Sequence, residues 1–136
     1  MVVTLQNCVE KLLKDDVIQQ SHVYSYKSKK YWKIIKSIHI LLSNKEVITV
    51  PYGFYYDMAT IPKLLWSLIR PFNDALLATL IHDYLYIHQE VHNLTRAQVD
   101  KEMLIWSNKI NGNKFDNYLR YVFVRLLGWL WWKKLI

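Results

Sequence analysis

Three acidic side chains and one histidine stand out for the chemistry that they could carry. His82 and Asp83 are adjacent, Asp100 follows them, and Asp57 precedes them in an irregular stretch. A carboxylate at an otherwise apolar position is costly to bury unless it is paired or binds a cation. We therefore predict a candidate catalytic group of His82, Asp83 and Asp100, and candidate metal ligands in Asp57 and Asp83. Oxygen ligands favour calcium or magnesium over zinc.

The same residue types also fit a structural role. A His–Asp pair between packed helices frequently serves as a lock that holds the helices together. Asp57 is followed by Pro62, a residue suited to the first turn of a helix, so its carboxylate could simply cap that helix. Residue types alone leave both interpretations open.

Helical spacing predicts how His82 is positioned. Residues 74–88 are predicted to form a helix, in which Ala78, His82 and Tyr86 follow one another at intervals of four and share one face. The neighbouring face is an apolar stripe that is typical of a buried helix side. Its members are Leu77, Leu80, Ile81, Tyr84 and Leu85.

A second helix is predicted to position Asp100. The segment from Thr95 to Gln98 has the pattern of a capping box, and the helix that it opens should end near Ile110, before Asn-Gly-Asn. Asp100 lies on or beside the apolar face, and we expect Glu102 to point elsewhere. If the two helices pack antiparallel across their short loop, His82 is the natural partner of Asp100.

The remaining patterns predict an α+β fold in a single domain, residues 1–136. Segments 23–26, 31–42 and 46–50 are rich in β-branched and aromatic residues, which predicts a small antiparallel sheet that Pro51 ends. Residues 20–51 are thus the β-rich part and residues 62–134 the helical part, with three to four helices. Helices are predicted over residues 5–14, 62–69 and 115–133, and Asn73 is a candidate cap for the helix that carries His82.

Composition excludes a fold held by disulfides or by a cysteine-bound metal, because the chain has a single cysteine. With 136 residues, 52% of them hydrophobic, the chain can bury a core without such cross-links. The formal net charge of +7 favours anionic partners, and nucleic-acid binding through a basic surface is one hypothesis. We expect no signal peptide and no transmembrane span.

The C-terminal segment combines tryptophans with lysines, which is typical of an interfacial membrane anchor or a protein-binding surface. Arg120 and Arg125 argue against a span, and the alternative is a core helix whose ends snorkel to water. The candidate interaction surface consists of Trp129, Trp131, Trp132, Lys133 and Lys134.

Four segments together resemble a known family. VITVPYGFYYDMATIP at residues 47–62 is similar to the VPxGFxTDxASxP signature of the domain-of-unknown-function 1353 family, and ATLIHDYLY at residues 78–86 is similar to its AxxxHDxLY signature. RAQVD at 96–100 and VRLLG at 124–128 match its third and fourth motifs. Tyr56, Thr60 and Lys63 replace the family's Thr, Ser and Arg, so a contact specific to arginine is in doubt at Lys63.

The resemblance implies a function in phages or prophages, where that family occurs. We expect an accessory or virion-associated protein that acts by binding a phage or host protein, in the host cytoplasm or in the virion. The alternative is a small metal-dependent hydrolase, because His82-Asp83-x-x-Tyr86 with Asp100 on the next helix also resembles the catalytic helix pair of secreted phospholipases A2. That likeness implies that His82 activates water, Asp83 binds calcium and Asp100 orients His82. The glycine-rich calcium loop and the disulfides of those enzymes are missing.

Overall fold

The computed structural model describes residues 2–8, 18–21, 31–56, 76–130 and 132. The chain forms two compact units, Met1–Asp57 and Met58–Ile136. Among the described residues, the strands lie in the first unit and the three long helices in the second, so the fold is α+β, as the sequence predicts. The boundary between the units falls between the predicted β-rich and helical parts.

One sheet of the first unit is built around a hairpin. Strands β1 (Val2–Val3), β4 (Ile38–Leu41) and β5 (Val47–Val50) lie in the order β1-β4-β5. The β4–β5 pair is antiparallel, with alternate residues buried, and the turn between them uses Lys45 at a φ of 75°. β1 pairs with β4 in parallel, so this sheet is mixed. The sequence predicted a purely antiparallel sheet, and β1 is the exception.

The second sheet is antiparallel and consists of β2 (Ile18–Ser21), β3 (Tyr31–Ile34) and β6 (Tyr55–Tyr56) in the order β2-β3-β6. The β-rich segment 31–42 contains two strands, because the chain bends between β3 and β4. The prediction that the segment after Pro51 is irregular is wrong at β6. A turn at Gly53, with a φ of 88°, brings the chain back to β3, and the Gly53 amide donates to the Ile34 carbonyl at 2.8 Å.

Three helices form the described part of the second unit. They are α1 (Leu76–Ile87), α2 (Arg96–Ile110) and α3 (Lys114–Leu127), and α2 packs against both of the others. The predicted apolar stripe of α1 is buried. A short 3-10 turn, Gln89–Val91, follows α1. Most of the predicted 5–14 helix and all of strand 23–26, helix 62–69 and the Asn73 cap lie outside the described residues.

The ends of α2 follow from its sequence. The Thr95 hydroxyl accepts from the Gln98 amide, and the Gln98 side chain accepts from the Thr95 amide at 2.8 Å, so the predicted capping box is confirmed. α3 ends at Leu127, earlier than predicted, and a 3-10 turn over Gly128–Leu130 replaces its last residues. Within the described part of the chain, no helix has both the length and the apolar character needed to cross a bilayer.

Candidate functional site

The carboxylate of Asp100 is the centre of a buried polar cluster. One oxygen, Oδ1, accepts from the hydroxyl of Tyr86 at 2.5 Å and bonds to Nε2 of His82 at 2.8 Å. The other, Oδ2, accepts from Arg125 at 2.8 Å and from Arg96 at 3.3 Å. We call these five residues the Asp100 cluster. The predicted His82–Asp100 contact is therefore confirmed.

Helical spacing explains why the cluster forms. α1 supplies His82 and Tyr86 four residues apart, and their ring centroids lie 4.2 Å apart. α2 supplies Arg96 and Asp100, also four residues apart, as an i,i+4 ion pair. α3 contributes Arg125 from its last turn. One carboxylate thus ties three helices together.

Arg96 adds a second connection between α2 and α3. Its guanidinium donates to the carbonyl of Val124 at 3.0 Å and to that of Arg125 at 3.1 Å. The last carbonyls of a helix lack partners within the helix and carry partial negative charge. Arg96 satisfies two of them while it also pairs with Asp100.

Because Gly128 has no side chain, the Tyr86 hydroxyl can lie directly against its backbone. A Cβ built at Gly128 would lie 2.5 Å from the Tyr86 hydroxyl oxygen and 3.1 Å from Nη1 of Arg96. The backbone φ of Gly128 is −61°, which any residue adopts, so the glycine is required for space and not for conformation. The edge of Trp132 packs on the Tyr86 ring with centroids 5.0 Å apart.

His82 is fully buried between two carboxylates. Burial lowers the pKa of its imidazole, but the hydrogen bond to Asp100 and the negative charges of Asp100 and Asp83 outweigh this effect, so the pKa is raised above 6.5. Nδ1 lies 3.6 Å from Oδ1 of Asp83 and has no hydrogen-bond partner among the residues that the structure describes. Asp83 is therefore beside the second ring nitrogen.

The chemistry available to Asp100 is limited by its partners. A carboxylate has about four lone-pair positions, and four side chains occupy those of Asp100. Burial and the bond to Asp100 raise the pKa of Tyr86, which keeps its phenol protonated and able to donate. Asp100 can therefore orient His82, but it has no free position for a metal ion.

The other predicted site residues are distributed differently. Asp57, Trp131, Lys133 and Lys134 lie outside the described residues, so the predicted metal role of Asp57 stays a prediction. Among the described residues, no group of three or more His, Cys, Asp or Glu side chains is arranged to hold a metal ion.

Both described tryptophans of the predicted interaction surface can be placed. Trp129 is 62% exposed, whereas Trp132 is partly buried against Tyr86 and His92. Trp129 is thus available to a partner, and Trp132 contributes mainly to packing.

Sequence reasoning missed four contributors: Tyr86, Arg96, Arg125 and Gly128. The signal was present, because a buried carboxylate requires cationic partners and two arginines lie in or beside apolar stretches. Glu102 was also misplaced. It is buried and accepts from the indole of Trp106 at 3.0 Å, although the sequence suggested that it points away.

A family model described as Protein of unknown function (DUF1353) matches residues 18–124. The chain belongs to this family. No curated protein and no solved structure matches it. Three of the four motifs that resemble the family, those at residues 78–86, 96–100 and 124–128, contribute side chains or space to the Asp100 cluster.

Proposed function

We propose that this protein acts by binding and not by catalysis, as a phage-encoded accessory or virion-associated component in the host cytoplasm or the virion. The observation that carries the proposal is the saturation of Asp100, whose two oxygens are occupied by four side chains. His82 and Asp100 are both 0% exposed, whereas a catalytic group must reach its substrate. The cluster is better suited to hold three helices in a fixed arrangement.

The fixed helices present a surface that fits a binding role. The outward side of α3 and the turn after it expose large apolar side chains that are not members of the Asp100 cluster. They are Phe115, Tyr118, Leu126, Trp129 and Leu130. Several large apolar side chains exposed on one side of a helix mark an interaction site in many proteins.

The first test compares turnover with stability. Wild-type protein and Asp100→Asn are assayed against ester and phospholipid substrates with calcium, magnesium, manganese or zinc, and both are unfolded in urea. We expect no turnover by either, and a loss of about 3–5 kcal/mol in the free energy of unfolding of Asp100→Asn, because both arginines and His82 lose a buried partner. Asp116→Asn, the same change at a half-buried position of α3, is the control. Turnover by the wild type would overturn the proposal.

A virion component and an accessory protein differ in where the protein is found. Purified particles contain a virion component at fixed copy number, which quantitative mass spectrometry measures. An accessory protein is present in infected cells and lost from particles during purification. Either result agrees with a binding role, and the measurement decides between its two forms.

The second candidate function is a small metal-dependent hydrolase, which one observation favours. The bond from Asp100 to Nε2 leaves Nδ1 of His82 beside Asp83 without a hydrogen-bond partner in the described part of the chain, as a general base would require. If this candidate is right, His82→Ala and Asp83→Asn abolish ester hydrolysis while the protein still melts cooperatively, and calorimetry detects a bound divalent ion. Unfolding of both variants would mean that the pair is structural.

A further inference from the structure

Helix α3 buries two polar side chains and exposes several large apolar ones. Asn117, Arg120 and Val124 are buried, whereas Phe115 is 78% and Leu126 63% exposed. An amphipathic helix of a globular protein ordinarily buries its apolar side. The outward side of the helix is continued by Trp129 in the 3-10 turn that follows it. We call this surface the α3 stripe; it consists of Phe115, Tyr118, Leu119, Val122, Leu126 and Trp129.

Specific polar contacts hold α3 in this orientation. The side-chain amide of Asn117 donates to Asn108 and to Asn111, at 2.9 Å each, and its oxygen accepts from Arg120 at 3.0 Å. At the other end of the helix, Arg96 binds the carbonyls of Val124 and Arg125. Rotating the α3 stripe inward would break contacts at both ends, so its exposure is built into the fold.

The charges beside the α3 stripe are mainly positive. Lys114 is exposed at the start of the helix, and the ammonium of Lys101 lies 5.9 Å from the centroid of the Tyr121 ring. Asp116 is the one acidic residue of α3, and at about 100° per residue it lies to the side of the stripe. In the sequence, Lys133 and Lys134 follow the helix.

We propose that the α3 stripe docks on an anionic lipid bilayer, with its apolar side chains in the interface and the lysines beside the headgroups. This deepens the proposed binding function and rests on it. Interfacial helices combine an apolar side that includes Trp, Phe or Leu with lysines or arginines beside it. A second copy of the chain is a poorer occupant, because it would bring lysines against lysines in a protein of net charge +7.

The test is co-sedimentation of the full chain with vesicles. Vesicles of phosphatidylcholine alone are compared with vesicles that also contain phosphatidylglycerol, for wild type and for Leu126→Ser with Trp129→Ser. We expect the wild type to bind the anionic vesicles and the double variant to bind at least about tenfold more weakly, since each side chain gives up an apolar contact with lipid. Ile87→Ser with Val91→Ser removes two exposed apolar side chains outside α3 and should bind like the wild type.

Several outcomes would overturn the lipid proposal. Failure of the wild type to bind anionic vesicles does so, and so does binding that the double variant retains. A dimer in analytical ultracentrifugation that Leu126→Ser converts to monomer assigns the α3 stripe to a second copy, and an acidic protein bound through the stripe without vesicle binding assigns it to that partner. Each of these results leaves the non-catalytic function standing, because turnover measurements test that function separately. Circular dichroism and melting confirm that each variant is folded.

Discussion

At the scale of single residues, the fit between Tyr86 and Gly128 gives a quantitative prediction. Alanine suits the backbone of Gly128, but its Cβ would lie 2.5 Å from the Tyr86 hydroxyl oxygen. We expect Gly128→Ala to lower the free energy of unfolding by about 1–3 kcal/mol, as overpacking does. Tyr86→Phe removes the obstructing oxygen together with its bond to Asp100.

The double variant Tyr86→Phe with Gly128→Ala distinguishes overpacking from any other effect of the alanine. Gly128→Ala should cost clearly less in the Tyr86→Phe background than in the wild type, which a double-mutant cycle in urea measures. Gly112→Ala, at a glycine with nothing within 4 Å of the added Cβ, is the matched control. Equal costs in both backgrounds would show that the hydroxyl is not the obstacle.

The raised pKa of His82 predicts how stability depends on pH. Because the folded protein binds the proton more tightly than the unfolded chain, the imidazolium contributes stability that is complete below about pH 6.5. That contribution is lost as the pH rises through the folded-state pKa. The protonated ring lies between Asp83 and Asp100, whose carboxylates face its two nitrogens.

His82→Gln isolates this effect, because glutamine can still donate to Asp100 but does not titrate. From about pH 6 to pH 9, the wild type should lose more free energy of unfolding than His82→Gln, as measured by urea denaturation at each pH. The histidines outside the cluster are common to both proteins and cancel. Parallel pH profiles would refute the assignment of the raised pKa to His82.

At the scale of elements, the start of α2 is the point that positions both Arg96 and Asp100. Thr95→Ala removes the hydroxyl that accepts from the Gln98 amide, and we expect a loss of about 1 kcal/mol in the free energy of unfolding. Thr95→Ser keeps the hydroxyl and should lose much less. If alanine and serine behave alike in thermal or urea denaturation, the cap contributes little to the stability of the helix.

The sequence predicts the helices well because their signals are local. The capping box of α2 and the apolar stripe of α1 each depend on residues within a few turns, and His82 meets Asp100 because short connections bring neighbouring helices together. Helical period reveals which residues share a face, but not which way that face is turned. For α3, bonds to residues of α2 decide the orientation: Asn117 donates to Asn108, and Arg96 donates to the carbonyls of Val124 and Arg125. The period of α3 alone therefore did not reveal Arg125 as a partner of Asp100.

Non-local pairing limits the prediction of the strands in the same way. Alternation identifies β4 and β5, and the turn between them makes their pairing local. The parallel pairing of β1 with β4 joins segments more than thirty residues apart, as the pairing of Val2 with His39 shows. No local pattern of side chains specifies such a partner.

At the scale of the whole molecule, charge and apolar surface predict different responses to salt. Both compact units carry more lysine and arginine than acidic residues, and the net charge is +7. Binding to nucleic acid through this charge releases counterions, so an interface with six phosphate contacts loses about a thousandfold in affinity between 50 and 200 mM salt. Binding to anionic vesicles through the α3 stripe includes an apolar contribution that salt does not screen.

We therefore expect vesicle binding to weaken far less than nucleic-acid binding over the same range of salt, with co-sedimentation and fluorescence anisotropy as the two measurements. Lys114→Gln should reduce vesicle binding at low salt only, because it removes a screened charge, whereas Leu126→Ser should reduce it at every salt concentration. The salt dependence could instead be equally steep for lipid and nucleic acid, with no effect of Leu126→Ser. That result would mean that the net charge alone determines what this protein binds, and the orientation of α3 would then need another explanation.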